Sequence, residues 1–539
     1  MQHTQVLIAG GGPVGLTLAR VLGNFGIRVM LVERNQATTR HPKMDITNGR
    51  SMELFRRLGL VDALRKAAVA EQNPFDVAWI TNMSGHELHR FRYPSPIEAR
   101  RIIAERNDGT QSREPPMRVS QVEIEPVLKR GAEACPTVNV RFGIAFEDFR
   151  QDGDGVTVTL RNSTTGDTEE VRCDYLVGCD GGSSRVRTLL QIALDGTPRV
   201  AQRYMVHFRS RAYDVLQRWG IAWHYQAPTA TLIAQNDVDI WTLQARLPPD
   251  TPLDRVDPAE IVKTFCGTTI DHEVLVANAW TPHLLLAQSY GGRRVFLAGD
   301  AAHQYIPTGG YGMNTGIGDA VDLGWKLAAT LLGFGGPQLL DSYESERRPV
   351  GHRNREASAA HTKVRLEIAE SYRQAYEAGL PLDDARRAAL GERIAQHGNV
   401  ENESFGIEFG YVYDGSPIVV AEPGAVPPSD PVHYVPTTMP GARLPSTFLG
   451  DGSALFDRLG QWFTLVNFGA TDASPFVDAA ERAQVPLQVL SLREPALEHV
   501  YGRDALLVRP DQHIAWRGTG TSAFDAAKIF ARALGREQA

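Results

Sequence analysis

The N-terminal stretch QVLIAGGGPVGLTLARVLGNFGIRVMLVERN, residues 5–35, constrains the fold of this chain more than any other segment. An apolar strand runs into Gly10-x-Gly12-x-x-Gly15, a helical pattern follows, and a second apolar strand ends at Glu33. In such a βαβ unit the first glycine permits a tight turn, the second lets the backbone approach a pyrophosphate, and the third lets the helix pack closely on the strands. The segment therefore predicts a Rossmann-like α/β domain that binds a dinucleotide.

The same segment supplies the first candidate cofactor contacts. The N-terminus of the helix offers unpaired N–H groups and a partial positive charge to phosphates, and Glu33 can accept hydrogen bonds from ribose hydroxyls. A glycine-rich turn without a ligand is the alternative, but the flanking strands, the helix and the acid favour a dinucleotide site. The motif does not distinguish FAD from NAD. We assign cofactor contacts here to Gly10, Gly12, Pro13, Gly15, Glu33 and Arg34.

Two later segments repeat the pattern of a strand that ends in a polar loop. CDYLVGCDGGSSRVR, residues 173–187, reads as a strand ending in Asp180, and RRVFLAGDAAH, residues 293–303, reads as a strand ending in Asp300. With the N-terminal glycines, these motifs resemble the single-component FAD-dependent aromatic hydroxylases, the fold group of p-hydroxybenzoate and phenol hydroxylases. The resemblance covers about residues 1–350 through motifs, and it extends more weakly over the C-terminal part.

The resemblance implies FAD as the cofactor and assigns it further contacts. In this family the aspartate that matches Asp300 hydrogen-bonds the ribityl chain, and the loop that matches Pro307 to Asn314 passes along the isoalloxazine ring. Glycines in that loop remove side chains that would collide with the flavin, and the following helix is expected to begin near Thr315. The implied FAD contacts beyond the first motif are Arg50, Gln121, Asp180, Asp300, Pro307, Gly310, Gly312, Met313 and Asn314.

The resemblance also implies a reaction. Members reduce FAD with NAD(P)H, let it react with O₂ to a C4a-hydroperoxide, and hydroxylate a phenolic ring. Phenol-hydroxylase-type members carry an aspartate five residues before the arginine that matches Arg50, and Asp45 stands at that position here. We expect Asp45 to be the catalytic base, with its pKa raised by burial, although an aspartate that caps a turn is the alternative. Because only one dinucleotide fingerprint is visible, NAD(P)H is expected to bind transiently.

Other activities stay open at this point. One is an FAD-dependent epoxidase or reductase that acts on a non-aromatic substrate, and another is a non-catalytic FAD-binding protein. The WxWxIP sequence of flavin halogenases and the FxGxxxHxxxW sequence of Baeyer–Villiger enzymes are both absent.

Residues 188–290 alternate short aromatic-rich strand patterns with turns, which predicts an antiparallel sheet over the reactive side of the flavin. The register of these strands is not fixed by the pattern, so each side chain can face the pocket, the core or solvent. We select His207, Trp223 and Tyr225 as substrate contacts, from a set that also includes Arg209, His224 and Trp241.

These segments divide the chain into a discontinuous arrangement. We assign residues 1–75, 100–187 and 288–395 to the FAD-binding domain with its following helices, and 76–99 and 188–287 to the substrate-binding sheet domain. Residues 396–446 are predicted to form a linker or strap, because residues 413–446 are rich in proline, glycine and serine. Residues 447–539 alternate strands and helices and resemble the thioredoxin-like tail of these hydroxylases. No cysteine follows Cys266, so a CxxC redox function is excluded and a structural or homodimer contact remains.

Composition limits the partners and the compartment. The net charge of −7 comes without a dense basic run, which argues against a nucleic-acid partner. No apolar run approaches the roughly 18 residues that span a bilayer. We expect no secretory signal, because the sequence given runs directly into the first strand. Four cysteines in 539 residues, without metal-ligand spacing, favour a reducing compartment and no metal site. We therefore expect a cytoplasmic enzyme whose partners are a small phenolic substrate and O₂.

Overall fold

The computed structural model describes residues 1–248, 251–377, 382–424, 426, 428–469, 471–519 and 524–536. Its strands are β1 Gln2–Ala9, β2 Val29–Glu33, β3 Ile46–Thr47, β4 Val77–Ile80, β5 Glu87–Phe91, β6 Met117–Arg118, β7 Val138–Phe142, β8 Ile144–Gln151, β9 Val156–Asn162, β10 Thr168–Gly178, β11 Leu194–Thr197, β12 Arg203–Arg209, β13 His224–Gln226, β14 Ala230–Ala234, β15 Ile240–Arg246, β16 Glu273–Trp280, β17 Leu284–Ala287, β18 Gly291–Gly292, β19 Val295–Leu297, β20 His303–Gln304, β21 Phe463–Asn467, β22 Leu487–Ser491, β23 Ala505–Val508 and β24 Ile514–Gly518.

The α-helices alternate with these strands through the first two thirds of the chain and then dominate up to the strap. They are α1 Pro13–Asn24, α2 Gly49–Arg57, α3 Val61–Ala67, α4 Pro96–Arg106, α5 Gln121–Glu133, α6 Arg185–Leu189, α7 Tyr213–Leu216, α8 Pro258–Cys266, α9 Tyr311–Leu331, α10 Pro337–Glu377, α11 Asp384–His397, α12 Phe405–Phe409, α13 Ser474–Ala483, α14 Glu498–Tyr501 and α15 Ala526–Ala533. None of the described helices is both long and apolar enough to cross a membrane.

An eight-stranded sheet forms the predicted Rossmann-like domain. Its main path runs β18-β19-β10-β1-β2-β7, with β8 and β9 attached through β10. Strands β19, β10, β1, β2 and β7 are mutually parallel along this path, whereas β18 is antiparallel to β19. Because parallel strands end at one edge of a sheet, the loops after β1, β10 and β19 meet there, and they carry Gly10, Asp180 and Asp300. The prediction of a parallel dinucleotide-binding sheet is confirmed.

Two glycines at this edge are required by close backbone contacts. Gly10 has a φ of +114°, and a Cβ there would lie 2.2 Å from the carbonyl oxygen of Cys179. A Cβ on Gly15 would lie 2.0 Å from the carbonyl oxygen of Gly10. Helix α1 can therefore pack against β1 and β10 only because both positions lack a side chain.

The second large sheet has seven strands, in the order β16-β12-β15-β14-β13-β4-β5. The strand patterns predicted between residues 202 and 247 become β12 to β15, and their mutual pairings are antiparallel. Side chains alternate between the two faces, so Tyr225 joins the apolar core cluster that contains Phe265 of α8. His224, one residue earlier, faces the opposite side and is paired with Ile233.

Helix α9 begins at Tyr311, four residues before the expected start near Thr315. Gly310 occupies its N-cap with φ +67°, a left-handed conformation that glycine adopts without strain. The glycine-rich loop is therefore shorter than the sequence pattern indicated, and Gly312, Met313 and Asn314 belong to the first turn of the helix.

The C-terminal part contains a four-stranded sheet in the order β22-β21-β23-β24. Strands β21 and β22 are parallel, whereas β23 is antiparallel to both β21 and β24. Helices α13 and α15 pack on this sheet through a core that includes Phe476 and Phe530. The thioredoxin-like character of this domain stays a prediction.

Candidate active site

A groove suited to a dinucleotide begins at the N-terminus of α1. A Cβ on Gly12 would meet no atom within 4 Å, so the backbone is open to a ligand at this position. Pro13 occupies the first helical position, where its missing N–H costs nothing. The open space at Gly12 and the free N–H groups of the helix end fit the pyrophosphate of FAD.

Glu33 lies at the end of β2 beside this groove. Its Oε2 accepts the N–H of Gly11 at 2.8 Å, and its Oε1 accepts the N–H of Asn35 at 2.9 Å. The carboxylate therefore also holds the glycine turn in shape. Arg34, the next residue, is exposed. Gln121 begins α5 and donates its Nε2–H to Glu125 at 2.7 Å.

Asp180 and Asp300 follow the ends of β10 and β19. The Asp180 carboxylate accepts the Ser184 hydroxyl at 2.5 Å and the Arg185 N–H at 2.7 Å, so it caps helix α6. Asp300 is exposed, and its Oδ1 lies 3.9 Å from where a Cβ on Gly312 would stand. Asp300 thus faces the first turn of α9 across a space that no side chain fills.

Asn314 connects the first turn of α9 to the segment that carries Asp45. Its Oδ1 accepts the N–H of Asn48 at 3.0 Å, while its Nδ2 donates to the carbonyl oxygens of Ile46 at 3.2 Å and Gly310 at 2.7 Å. Met313 is partly buried against the main core, and Pro307 is exposed. The segment that the resemblance places along the flavin ring is therefore in direct contact with the segment that carries Asp45.

Arg50, expected beside the flavin and pyrophosphate, is directed at the C-terminal domain. Its guanidinium donates to Gln512 Oε1 at 2.5 Å, to the Asp511 carbonyl at 2.7 Å and to Glu53 Oε2 at 3.0 Å. One guanidinium nitrogen, Nε, is buried without a hydrogen-bond partner among the described residues. The residue is buried at the N-terminus of α2.

A cavity of about 340 Å³ opens next to this junction. It brings together Asp45, Trp223, Pro307 and Gly310, which the sequence had assigned to catalysis, substrate and flavin. Its walls are mainly apolar and include Phe75, Pro96, Ile103, Pro116, Phe405 and Phe409. An apolar cavity with a few polar groups is the usual form of a small-molecule site.

One polar part of this cavity is a compact group around Asp45. Its Oδ2 accepts the indole Nε1–H of Trp223 at 2.6 Å and lies 3.1 Å from Nε2 of His224. The Asp45 side chain keeps 19% of its surface exposed, and Oδ1 makes no hydrogen bond to another described side chain. Asp45 therefore presents a free carboxylate oxygen beside two fixed donors.

The expected direction of the Asp45 pKa is wrong. Burial does raise the pKa of this carboxyl, but the hydrogen bond and the charge of His224, the hydrogen bond of Trp223 and the charge of Arg118 outweigh burial and lower it below its usual value. Asp45 is thus an anion at neutral pH and a weaker base than an ordinary aspartate. The two partners of Asp45, Trp223 and His224, are 178 and 179 residues away along the chain, so no local sequence pattern reveals the contact.

The other proposed substrate contacts lie outside the cavity. Tyr225 is fully buried on the far face of its sheet and donates its hydroxyl to the Gly220 carbonyl at 2.6 Å. Trp241 lies in the same core cluster. His207 is buried against Thr242, with Nδ1 and Oγ1 2.9 Å apart, and burial lowers its pKa to about 4. Arg209 is exposed and pairs with Glu273 at 2.6 Å.

Sequence reasoning missed one entire wall of the cavity. Residues 401–409, inside the predicted strap, supply Glu401, Glu403, Phe405, Glu408 and Phe409. Helix α4 and Arg365 of α10 complete the lining. Residues 401–409 read ENESFGIEF, a mixture of acids and apolar residues too short for a periodicity that marks a pocket.

The fold and this site together define a flavin-binding oxidoreductase. The family model described as FAD binding domain matches residues 3–358, and the model described as aromatic-ring hydroxylase, C-terminal matches residues 437–536. The chain therefore belongs to the FAD-dependent aromatic-ring hydroxylases. The identification from the three sequence motifs is confirmed.

Individual relatives agree with this membership. The chain is 39% identical to an FAD-dependent monooxygenase of Emericella nidulans, over 98% of this chain and 90% of the relative. It is 28% identical to phenol 2-monooxygenase of a Pseudomonas species, over 98% and 92%. The structure of the rebeccamycin biosynthetic enzyme RebC with reduced flavin superposes with a TM-score of 0.87 at 33% identity, covering 99% of this chain and 100% of that chain. The protein is an FAD-dependent monooxygenase, with NAD(P)H as the typical reductant of its family.

Proposed function

We propose that the protein hydroxylates a phenolic ring bound in the cavity beside Asp45. The observation that carries this proposal is that one cavity contacts the Pro307–Gly310 loop and the Asp45 carboxylate together. FAD, when bound along the glycine loops, supplies electron transfer from NAD(P)H and the activation of O₂. The chain's own residues hold the ring, exclude water and engage the phenol proton.

Asp45 engages that proton through Oδ1. Trp223 and His224 fix Oδ2, so the second oxygen is directed by a rigid pair of hydrogen bonds. At neutral pH Asp45 is ionised, and the hydrogen bond at Oδ2 therefore comes from a protonated Nε2 of His224. A phenol hydroxyl that donates to Oδ1 gains electron density at its ortho and para carbons, which favours attack on an electrophilic oxygen.

The FAD contacts assigned from the sequence form part of this proposal. The open backbone at Gly12 and the carboxylates of Glu33 and Asp300 support them. Arg50 stays a proposed FAD contact, and its Nη1 and Nη2 groups also hold α2 against the C-terminal domain. The domain division stays as proposed, with residues 1–75, 100–187 and 288–395 binding FAD and 76–99 and 188–287 covering the substrate.

The test uses the purified, FAD-loaded protein and a panel of phenols. A substrate should accelerate NAD(P)H oxidation and gain one oxygen atom derived from labelled O₂. Acceleration without oxygen transfer to any phenol would favour a reductase, and oxygen transfer only to alkenes would favour an epoxidase. No oxidation of NAD(P)H by the FAD-loaded protein would leave a non-catalytic FAD-binding protein. NAD(P)H should not survive gel filtration with the protein.

Two finer expectations belong here as well. All four cysteines are free thiols in the structure, which supports a reducing cytoplasmic location. Subcellular fractionation tests this location. Association into a homodimer through the C-terminal domain is tested by light scattering of the full chain.

A further inference from the structure

Helix α12 places Glu408 on the cavity wall, opposite the start of α2. The backbone N–H of Gly49, the first residue of α2, is directed at its carboxyl group. The Oε2 atom of Glu408 is buried and has no hydrogen-bond partner among the described residues. A buried acceptor without a partner is unfavourable, so this oxygen needs either a proton or a ligand.

The other acids of the same wall already have partners. Glu401 forms an ion pair with Arg365 at 2.7 Å. Glu403 Oε1 accepts the hydroxyl of Tyr93 at 2.6 Å. Glu408 lies in the same short segment as these acids but forms no ion pair with any residue that the structure describes.

The protonation state of Glu408 follows from this environment. Burial raises the pKa of the carboxyl to about 8, the Gly49 N–H opposes the increase, and the charge of Glu53 adds to it. At neutral pH Glu408 is therefore mostly a neutral acid, which can donate one hydrogen bond and accept another.

Glu408 and Asp45 lie at separate places in the cavity. Asp45 and Gly49 are joined by β3 and by Asn48, which has φ −74° and ψ 170°. An extended segment of this length spans roughly 13 Å at about 3.3 Å per residue. A phenol of one ring is too short to reach from Asp45 to the carboxyl beside Gly49.

Building on the proposed function, we propose that Glu408 is a specificity-determining residue. It hydrogen-bonds a polar substituent on the far ring of a multi-ring phenol whose reacting ring lies at Asp45. The ligand class is therefore an elongated, fused aromatic with one hydroxyl at each end. Apolar residues of the cavity wall, such as Ile103 and Phe409, contact the flat body of this ligand.

The experiment compares two three-ring ligands, 2-hydroxyanthraquinone and 2,6-dihydroxyanthraquinone, with phenol. Their dissociation constants are measured by calorimetry on the FAD-loaded full chain, without turnover. The wild type should prefer the second hydroxyl by about 3–10-fold, the usual worth of one hydrogen bond. Glu408→Gln keeps a donor and acceptor and should retain the preference. Glu408→Leu should lose it, with phenol binding changed less than about 2-fold.

Glu403→Gln serves as the matched control from the same wall and should retain the preference. FAD content of each variant verifies that the site has folded. A preference that survives in Glu408→Leu, or anthraquinones that do not bind while phenol is hydroxylated, would overturn this inference and leave the proposed function standing. If the wild type neither binds nor hydroxylates any phenol, both proposals are wrong.

Discussion

Replacing Asp45 by asparagine removes one negative charge from the cavity and leaves its shape unchanged. The amide oxygen can still accept the Trp223 indole N–H, which lies 2.6 Å from Oδ2 in the wild type. The charge that the phenol hydroxyl and His224 interact with is lost. The variant therefore separates the electrostatic role of Asp45 from its packing.

The size of the effect follows from the protonation equilibria. The pKa of a phenol is about 10, and the pKa of Asp45 lies below 3.8. Complete proton transfer from the phenol to Asp45 is therefore unfavourable by at least about six pKa units, or roughly 8 kcal/mol. Asp45 therefore acts mainly through a charge-assisted hydrogen bond, worth about 1.5–3 kcal/mol. Its loss should slow hydroxylation by roughly 10- to 150-fold at neutral pH.

The assay measures three quantities in the same reaction, namely NAD(P)H consumed, hydroxylated product and hydrogen peroxide. Asp45→Asn should keep its FAD and part of its substrate-stimulated NAD(P)H oxidation, with most of the oxygen released as peroxide. The defect should shrink as pH rises toward the pKa of the phenol, because a phenolate no longer needs an acceptor. His224→Gln keeps the carboxylate charge and should lose less than about 10-fold. Normal hydroxylation by Asp45→Asn at neutral pH, or a defect independent of pH, would refute this reasoning.

Three further predictions follow from individual contacts. Glu33→Ala and Asp300→Ala should each weaken FAD binding about 10-fold or more, because each variant loses a charge-assisted hydrogen bond to the cofactor. FAD retention is measured by ultrafiltration, and unchanged retention in both variants contradicts the groove assignment. The pKa of Glu408 is about 8 in the folded state against an ordinary 4.5, so between these values the folded state binds a proton that the unfolded state does not. The stability that this proton gives the folded state is lost as pH rises through this range. The Tm of the wild type relative to Glu408→Gln should therefore fall from pH 5 to 8, and a constant difference contradicts the assignment. Arg443→Met removes the main partner of the buried Glu53 carboxylate, which keeps only its contact with Arg50. The free energy of unfolding in denaturant titrations should fall by about 3–5 kcal/mol. A loss below about 1 kcal/mol would contradict a buried ion pair.

The parts of the site that were predictable lie at strand ends. Gly10, Asp180 and Asp300 are far apart in sequence, yet each follows a strand of one parallel sheet. The rule that such strands end at a common edge is sufficient to bring them together. The residues at those ends predict a dinucleotide site, and the family resemblance that they carry implies FAD.

The features of the site that were not predictable are the sheet face that each side chain occupies and the residues that it contacts there. Either His224 or Tyr225 had to face the cavity, and only the pairing of β13 with its neighbours decides which. The pKa of Asp45 depends on that choice, since His224 is its main partner. Helix α12 is five residues long, fewer than two helical turns, so no periodic pattern identified Glu408.

The C-terminal domain lacks redox cysteines, and its contacts assign it another task. Arg443, at the end of the strap, pairs with Glu53 of α2, and Arg509 of the C-terminal domain pairs with Glu346 of α10 at 2.6 Å, with all four side chains buried. Buried ion pairs contribute little net stability when formed, but breaking one leaves a charge in a dry environment at high cost. The two domains therefore have one strongly preferred docking geometry. Because α2 carries both Arg50 and the Gly49 N–H that faces Glu408, this docking also fixes the end of the cavity remote from Asp45.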